Sequence, residues 1–227
     1  MDFLEVLNKV SQDSVGVLGG HLVSKKYVPL DLSESNVDLV KADVSTSLKF
    51  GEFVDQYLLN HNANVAHGGY LEVRSIYKRS THFNNFDEAE RNIHLGIDLW
   101  SPVDTPIYAP IEGVVHSFKN NTNFGDYGPT IILKHEYYGC TFYTLYGHLN
   151  LSSLEEIQEG RIIGKGSVIG ALGDASVNGD YPPHLHFQII EDIQGYIGDY
   201  PGVCSHNELG FYRNNCPNPF SFLKLDN

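Results

Sequence analysis

The sequence predicts a mainly β protein built on an antiparallel sheet, with a small, mostly helical extension at its N-terminus. Three observations predict it. From about residue 68 onward, short apolar runs alternate at period two between Gly, Pro, Asn and Asp turn signals. Aromatic residues make up 12% of the chain and it holds 22 glycines, a composition that favours strands and tight turns. No long helical pattern separates the strands, so neighbouring strands return antiparallel rather than through crossover helices.

Residues 1–65 differ from the rest. Phe3-Leu4, Val6-Leu7 and Val10 give one helical period, and Phe50, Phe53-Val54 and Tyr57-Leu58 give another. This stretch reads as the extension, and 66–227 as the main domain with a variant tail over about 193–227. Within the main domain, His94–Trp100 alternates strictly. Strands follow at Ile107–Ala109, Gly113–Phe118, Thr130–Lys134, Thr141–Tyr146, Ile162–Ile163, Val168–Ile169 and His184–Ile190.

At 227 residues the chain can bury a core of its own. Its net charge of −13 argues against nonspecific binding to nucleic acid or to an anionic membrane surface. No run of roughly 18 apolar residues spans a membrane. The N-terminus has acids where an export signal needs base and lacks a sustained apolar stretch, so a cytoplasmic location is expected, with export the alternative if native sequence precedes residue 1. Cys140, Cys204 and Cys216 show no CxxC spacing and read as reduced thiols, with a Cys204–Cys216 bridge the alternative in an oxidising compartment.

Eleven histidines are present. His21, His61, His67, His82, His116 and His206 stand alone, and His135 precedes a turn; a lone strand histidine is more often surface or hydrogen-bonded core than ligand. Four others come in patterned company. His94 and Asp98 lie four apart, about 13 Å along a straight strand, so both reach one ion only if Gly96 bends the chain. His184 and His186 lie about 6.6 Å apart on one face of a strand, opposite Leu185 and Phe187, behind a Pro182-Pro183 entry. His148 follows Gly147 at a strand end. Two histidines and a carboxylate suit a metal, and catalytic zinc leaves a fourth position for water. There is no HExxH, so the usual Glu base is missing; an unligated histidine suits that task.

Two turn units, Ala109–Val115 and Glu159–Gly170, are similar to those of lipoyl- and biotin-carrier domains of the barrel-sandwich hybrid type. A carrier lysine in its usual Met- or Asp-flanked setting is missing, which leaves the architecture and removes the carrier function. The motifs His94-Leu-Gly-Ile-Asp98, Tyr146-Gly-His148-Leu and Pro183-His184-Leu-His186-Phe, in the frame "TPIYAPIEGVV", "GPTIILKH", "TFYTLYGHL" and "EGRIIGKGSVIGALGD", resemble the lysostaphin/LytM-type zinc endopeptidases over roughly residues 92–192. The resemblance implies a compact antiparallel β metallopeptidase fold with a groove over Zn2+. It implies His94, Asp98 and His186 as metal ligands, His184 as general base and His148 as the group that stabilises the oxyanion. It also implies a peptide or peptidoglycan-derived substrate. Some members carry a carbonyl-polarising tyrosine ahead of the first motif; the nearest here is Tyr77, behind Phe83 and Phe86. The tail "GYIGDYPGVCSHNELGFYRNNCPNPF" is similar to domains fused between an aminotransferase and a phosphotransferase-like kinase. A zinc-bound regulatory module of the same fold is the main alternative, and residues 1–65 could cover the groove. An Fe(II) oxygenase with two histidines and one carboxylate is remote, because its first ligand pair is usually His-x-Asp.

Overall fold

The computed structural model describes residues 1–18, 26–79 and 89–225. His21, His82, Phe83 and Phe86 lie outside them. The protein is mostly β, with a small helical N-terminal part. Its N-terminal elements are α1 (Phe3–Asp13), β1 (Tyr27–Pro29), α2 (Val37–Lys41), α3 (Ser47–Asn60) and β2 (Val65–Gly68). The main strands are β3 (Arg91–His94), β4 (Ile97–Trp100), β5 (Pro106–Tyr108), β6 (Gly113–Asn121), β7 (Gly128–Tyr137) and β8 (Cys140–Gly147). They are followed by β9 (Ile162–Ile163), β10 (Val168–Ala171), β11 (His184–Ile190) and β12 (Val203–Ser205), then α4 (Leu209–Asn215) and α5 (Phe220–Leu223).

Eight strands form one sheet in the order β1-β2-β4-β11-β8-β7-β6-β9, with β10-β5 and β12-β3 as two-stranded sheets beside it. Every pair is antiparallel except β1 with β2. The N-terminal segment therefore does more than pack on the domain: its β1 pairs with β2, which pairs with β4 and extends the central sheet. Helices α1 and α3 form where the two helical periods predict them. Asp2 and Glu5 cap α1 reciprocally, with Glu5 N on Asp2 Oδ1 at 2.8 Å and Asp2 N on Glu5 Oε2 at 3.0 Å. Two features of the tail have no counterpart in the sequence reading, strand β12 and the short helices α4 and α5.

Strand β11 sits centrally, between β4 and β8, and all seven of its residues are buried. Leu185 and Phe187 pair with Leu99 and Ile97 across the ladder and join the largest core, with Tyr146, Ile131 and Leu133. Each such buried side chain stabilises the fold by roughly 1.5–3 kcal/mol. The other face of β11 carries His184, His186 and Gln188. A second cluster packs α3, through Phe50 and Val54, on Leu30, Leu32 and Trp100. A third holds the tail against the sheet through Leu95, Leu145, Ile190, Tyr200, Cys204 and Cys216. All three cysteines are free thiols, Cys204 and Cys216 both buried.

Candidate metal centre and active site

The period-two alternation of β11 is broken in chemistry, not in geometry: apolar residues face the core and His184, His186 and Gln188 face a cleft. Register then supplies a partner, since His186 lies directly opposite Asp98 on β4 and opposite Gly147 on β8. His94 arrives by another route. It is the last residue of β3, which pairs with β12, and the chain crosses to the main sheet through Leu95-Gly96. Gly96 does not hold a positive φ. Its glycine is required by close approach: a Cβ there would lie 2.6 Å from His186 Nε2 and 2.7 Å from the Phe187 carbonyl oxygen.

His94, Asp98 and His186 are buried together and form a cluster that could hold a metal ion. His94 Nε2 lies 3.3 Å from Asp98 Oδ1, His186 Nδ1 lies 3.3 Å from the same oxygen, and the two nitrogens are 2.8 Å apart. The outer ring nitrogens are committed. His94 Nδ1 donates to the Gly69 carbonyl at 2.9 Å, and His186 Nε2 donates to Gln188 Oε1 at 2.9 Å. In the neutral rings the inner nitrogens are therefore bare lone pairs. Two lone pairs and a carboxylate oxygen converge with no proton to share, and Asp98 Oδ1 is buried without a hydrogen bond. A cation satisfies all three. Zinc ligands at about 2.0–2.2 Å in a tetrahedral arrangement stand about 3.3–3.6 Å apart, so two edges of this triangle already have the right length and the third is slightly contracted.

Two further imidazoles complete the cleft. His148 follows β8 with φ of 62°, a left-handed conformation uncommon outside glycine that turns the chain at the rim. Its Nδ1 donates to the Asn178 carbonyl at 2.8 Å, and His184 Nδ1 donates to the Pro182 carbonyl at 2.8 Å. Their ring centroids are 4.2 Å apart, and His184 Nε2 is 3.8 Å from Asp98 Oδ1. Burial lowers the pKa of both, and for His148 the neighbouring His184 adds to it. Burial also pushes His94 down to about 3, against the pull of Asp98. For Asp98 burial raises the pKa, but the neighbouring His94 and the Arg74 guanidinium outweigh it and hold the carboxyl well below its usual range.

The cleft is a cavity of about 200 Å³. All five patterned residues line it, joined by Leu32, Phe50, Ile76 and Trp100 on an apolar wall and by Tyr77, Tyr127 and Tyr181. Trp100 stacks on His184 with centroids 5.6 Å apart. The cleft thus takes walls from β1-side residues, α3 and the tail as well as from the main strands. Tyr77 stands within 6.5 Å of the His94 ring. The remaining described histidines do other work: His135, for one, is buried between the Glu112 carbonyl and Thr144. Sequence reasoning missed Arg74, Gly69 and Gln188. Gln188 had a signal, because it continues the His184-x-His186 face by two residues. Arg74 and Gly69 had none.

Residues 92–196 match peptidase family M23. That match covers a little under half of the chain, so what it shows is a likeness to the family over this segment. The chain is 34% identical over 98 residues to the peptidoglycan DD-endopeptidase ShyA of Vibrio cholerae, covering 43% of this chain but only 20% of that protein. It is also 30% identical over 129 residues to the L-Ala–D-Glu endopeptidase of Bacillus subtilis, covering 54% of this chain and 37% of that one. The chain thus spans about a fifth to two fifths of the length of these relatives. Among solved structures, the catalytic domain of lysostaphin from Staphylococcus simulans aligns with a TM-score of 0.44 and 22% identity, covering 74% of this chain and 96% of that one. The matched segment begins just upstream of His94 and ends in the tail, so Leu32, Phe50, Gly69, Arg74 and Tyr77 lie outside it and Tyr200 to Val203 follow it.

Proposed function

We propose that the chain is a zinc-dependent endopeptidase that hydrolyses an amide bond in a peptide of the peptidoglycan type. The observation that supports it most directly is the convergence of the His94, His186 and Asp98 lone pairs on one buried point without a proton between them. Those three residues hold the metal in this reading. Zinc bound there lowers the pKa of a coordinated water to about 7 and polarises a carbonyl.

The remaining work belongs to the chain. His184, with its Nδ1 proton spent on the Pro182 carbonyl, presents a bare Nε2 beside Asp98 and accepts the proton of the attacking water. Burial keeps it neutral and ready to do so. His148 stabilises the developing oxyanion in the same scheme. Because its Nδ1 is committed to Asn178, it donates only when Nε2 also carries a proton. Trp100 shields His184 from water on its stacked face.

The test joins metal analysis to cleavage. Protein purified without chelator is expected to carry about one equivalent of zinc and to release peptides from purified peptidoglycan or a peptide library, with both lost after chelation. His94→Ala, Asp98→Ala and His186→Ala are expected to lose the metal. Iron in place of zinc, or a folded protein with neither metal nor cleavage, would sink the assignment.

A further inference from the structure

Asp98 is gripped from the side away from the two imidazoles. Arg74 Nη1 donates to Asp98 Oδ2 at 2.5 Å and to Tyr77 Oη at 3.2 Å, while its Nε donates to Glu72 Oε2 at 2.5 Å. The other oxygen of Glu72 accepts from the Leu32 backbone N–H at 3.0 Å. A relay therefore runs from the N-terminal segment through Glu72 and Arg74 to the carboxylate. Arg74 is 3% exposed, and its guanidinium lies 5.8 Å from the Trp100 ring.

A buried arrangement of one guanidinium and two carboxylates is weak support for stability, because desolvation offsets most of the attraction. Its geometry gives it a more specific consequence. With Oδ2 taken, Asp98 faces the imidazole nitrogens through Oδ1 alone, and it cannot rotate without breaking a charge-assisted bond. The same short segment serves His94: the Gly69 carbonyl fixes its Nδ1 proton, and a Cβ at Gly69, where φ is 107°, would collide with both Arg74 and His94. Partners of this kind orient ligands and tune the ion they hold.

We propose that Arg74 is a positioning residue for the metal centre, which holds Asp98 as a one-oxygen ligand, and that residues 69–74 complete the site from outside the M23 segment. The proposal rests on the reading of His94, Asp98 and His186 as metal ligands. It implies that a fragment beginning at residue 92 keeps Gln188 beside His186 but lacks Gly69 beside His94 and Arg74 beside Asp98.

The experiment uses the full chain, with zinc and then cobalt as the metal. Zinc affinity is measured by competition with a chromophoric chelator, and the coordination of cobalt by its visible absorption, in the wild type, Arg74→Met and Arg74→Lys. Arg74→Met is expected to weaken zinc binding about 10–100-fold and to lose cobalt band intensity, as the freed Oδ2 adds a further ligand. Arg74→Lys, which keeps one charged donor, is expected to recover part of both. A folded Arg74→Met with wild-type zinc affinity and cobalt spectrum overturns the proposal. If that variant does not fold by circular dichroism, Arg74→Gln is judged by the same two readouts. A wild type that takes up no metal overturns the ligand reading itself, an outcome distinct from metal binding that is indifferent to Arg74.

Discussion

His186 and Asp98 stand directly opposite each other on the paired strands β11 and β4, with Nδ1 of one 3.3 Å from Oδ1 of the other. Directly opposed residues of an antiparallel pair have Cβ atoms about 4.5–5.5 Å apart, close enough for short side chains to share a ligand. A slip of β11 by one residue would turn His186 to the core face and bring Leu185 or Phe187 into the cleft opposite Asp98. The apolar pairs Leu185–Leu99 and Phe187–Ile97 on the reverse face hold that register.

The core pairing makes a direct prediction. Phe187 is fully buried against Tyr146 and Phe222, with ring centroids at 5.4 and 6.1 Å. Phe187→Ala is expected to cost about 3–5 kcal/mol, read from the midpoint shift in denaturant unfolding at unchanged slope.

In the proposed scheme the His148 and His184 pair separates metal binding from chemistry. His148→Ala and His184→Ala are expected to keep zinc and to lower kcat by about 10²–10⁴-fold each. A glutamine at 148 still donates a hydrogen bond without titrating, so His148→Gln is expected to retain more activity than His148→Ala. At 184, where a base is needed, glutamine is expected to give no recovery. Loss of metal from His184→Ala would show that the roles of the two β11 histidines are divided differently.

Gly96 is predicted to tolerate no side chain. The Cβ of Gly96→Ala meets the His186 ring on one side and the rigid Phe187 carbonyl on the other. Overpacking of this kind costs about 1–3 kcal/mol, and the displaced ring is expected to lower zinc content as well. A melting temperature and metal content equal to wild type would contradict the close approach.

Gln188 holds His186 through Oε1 while its amide N–H groups donate to the Pro201 carbonyl at 3.1 Å and Cys216 Sγ at 3.2 Å. Gln188→Leu removes the acceptor that fixes the ring and is expected to weaken zinc binding about 10–100-fold. Gln188→Glu, which keeps an acceptor, is expected to be milder. The measurement is chelator competition.

His135 gives a pH dependence away from the metal site. Burial lowers its pKa from 6.5 to about 4, only partly opposed by the Glu112 carbonyl. The folded-state pKa is depressed, so the unfolded chain binds the extra proton first. This contribution is fully present above pH 6.5 and is lost as pH falls from 6.5 to about 4, roughly 3 kcal/mol in all. His135→Gln is expected to flatten that part of the stability curve relative to wild type, as followed by urea unfolding at a series of pH values.

Much of this protein was legible in its residues because its strands are short and their alternation is strict. Strand β11 runs over the predicted His184–Ile190, and the same pattern put His184 and His186 on one face and Leu185 and Phe187 on the other. Helices α1 and α3 were visible in their apolar periods. The bend at Gly96 was expected, but for the wrong reason: the chain changes sheets there, and the glycine yields space to His186 rather than adopting a glycine-only φ. By itself, then, the sequence determined the strand faces and the His-x-x-x-Asp and His-x-His spacings, since these depend on local backbone geometry. Tertiary structure alone decided that Asp98 faces His186, that β2 joins the sheet, and that Gly69 and Arg74 reach the cleft. Those contacts join residues 24 to 88 positions apart, and the register and packing that create them leave no local periodicity to read.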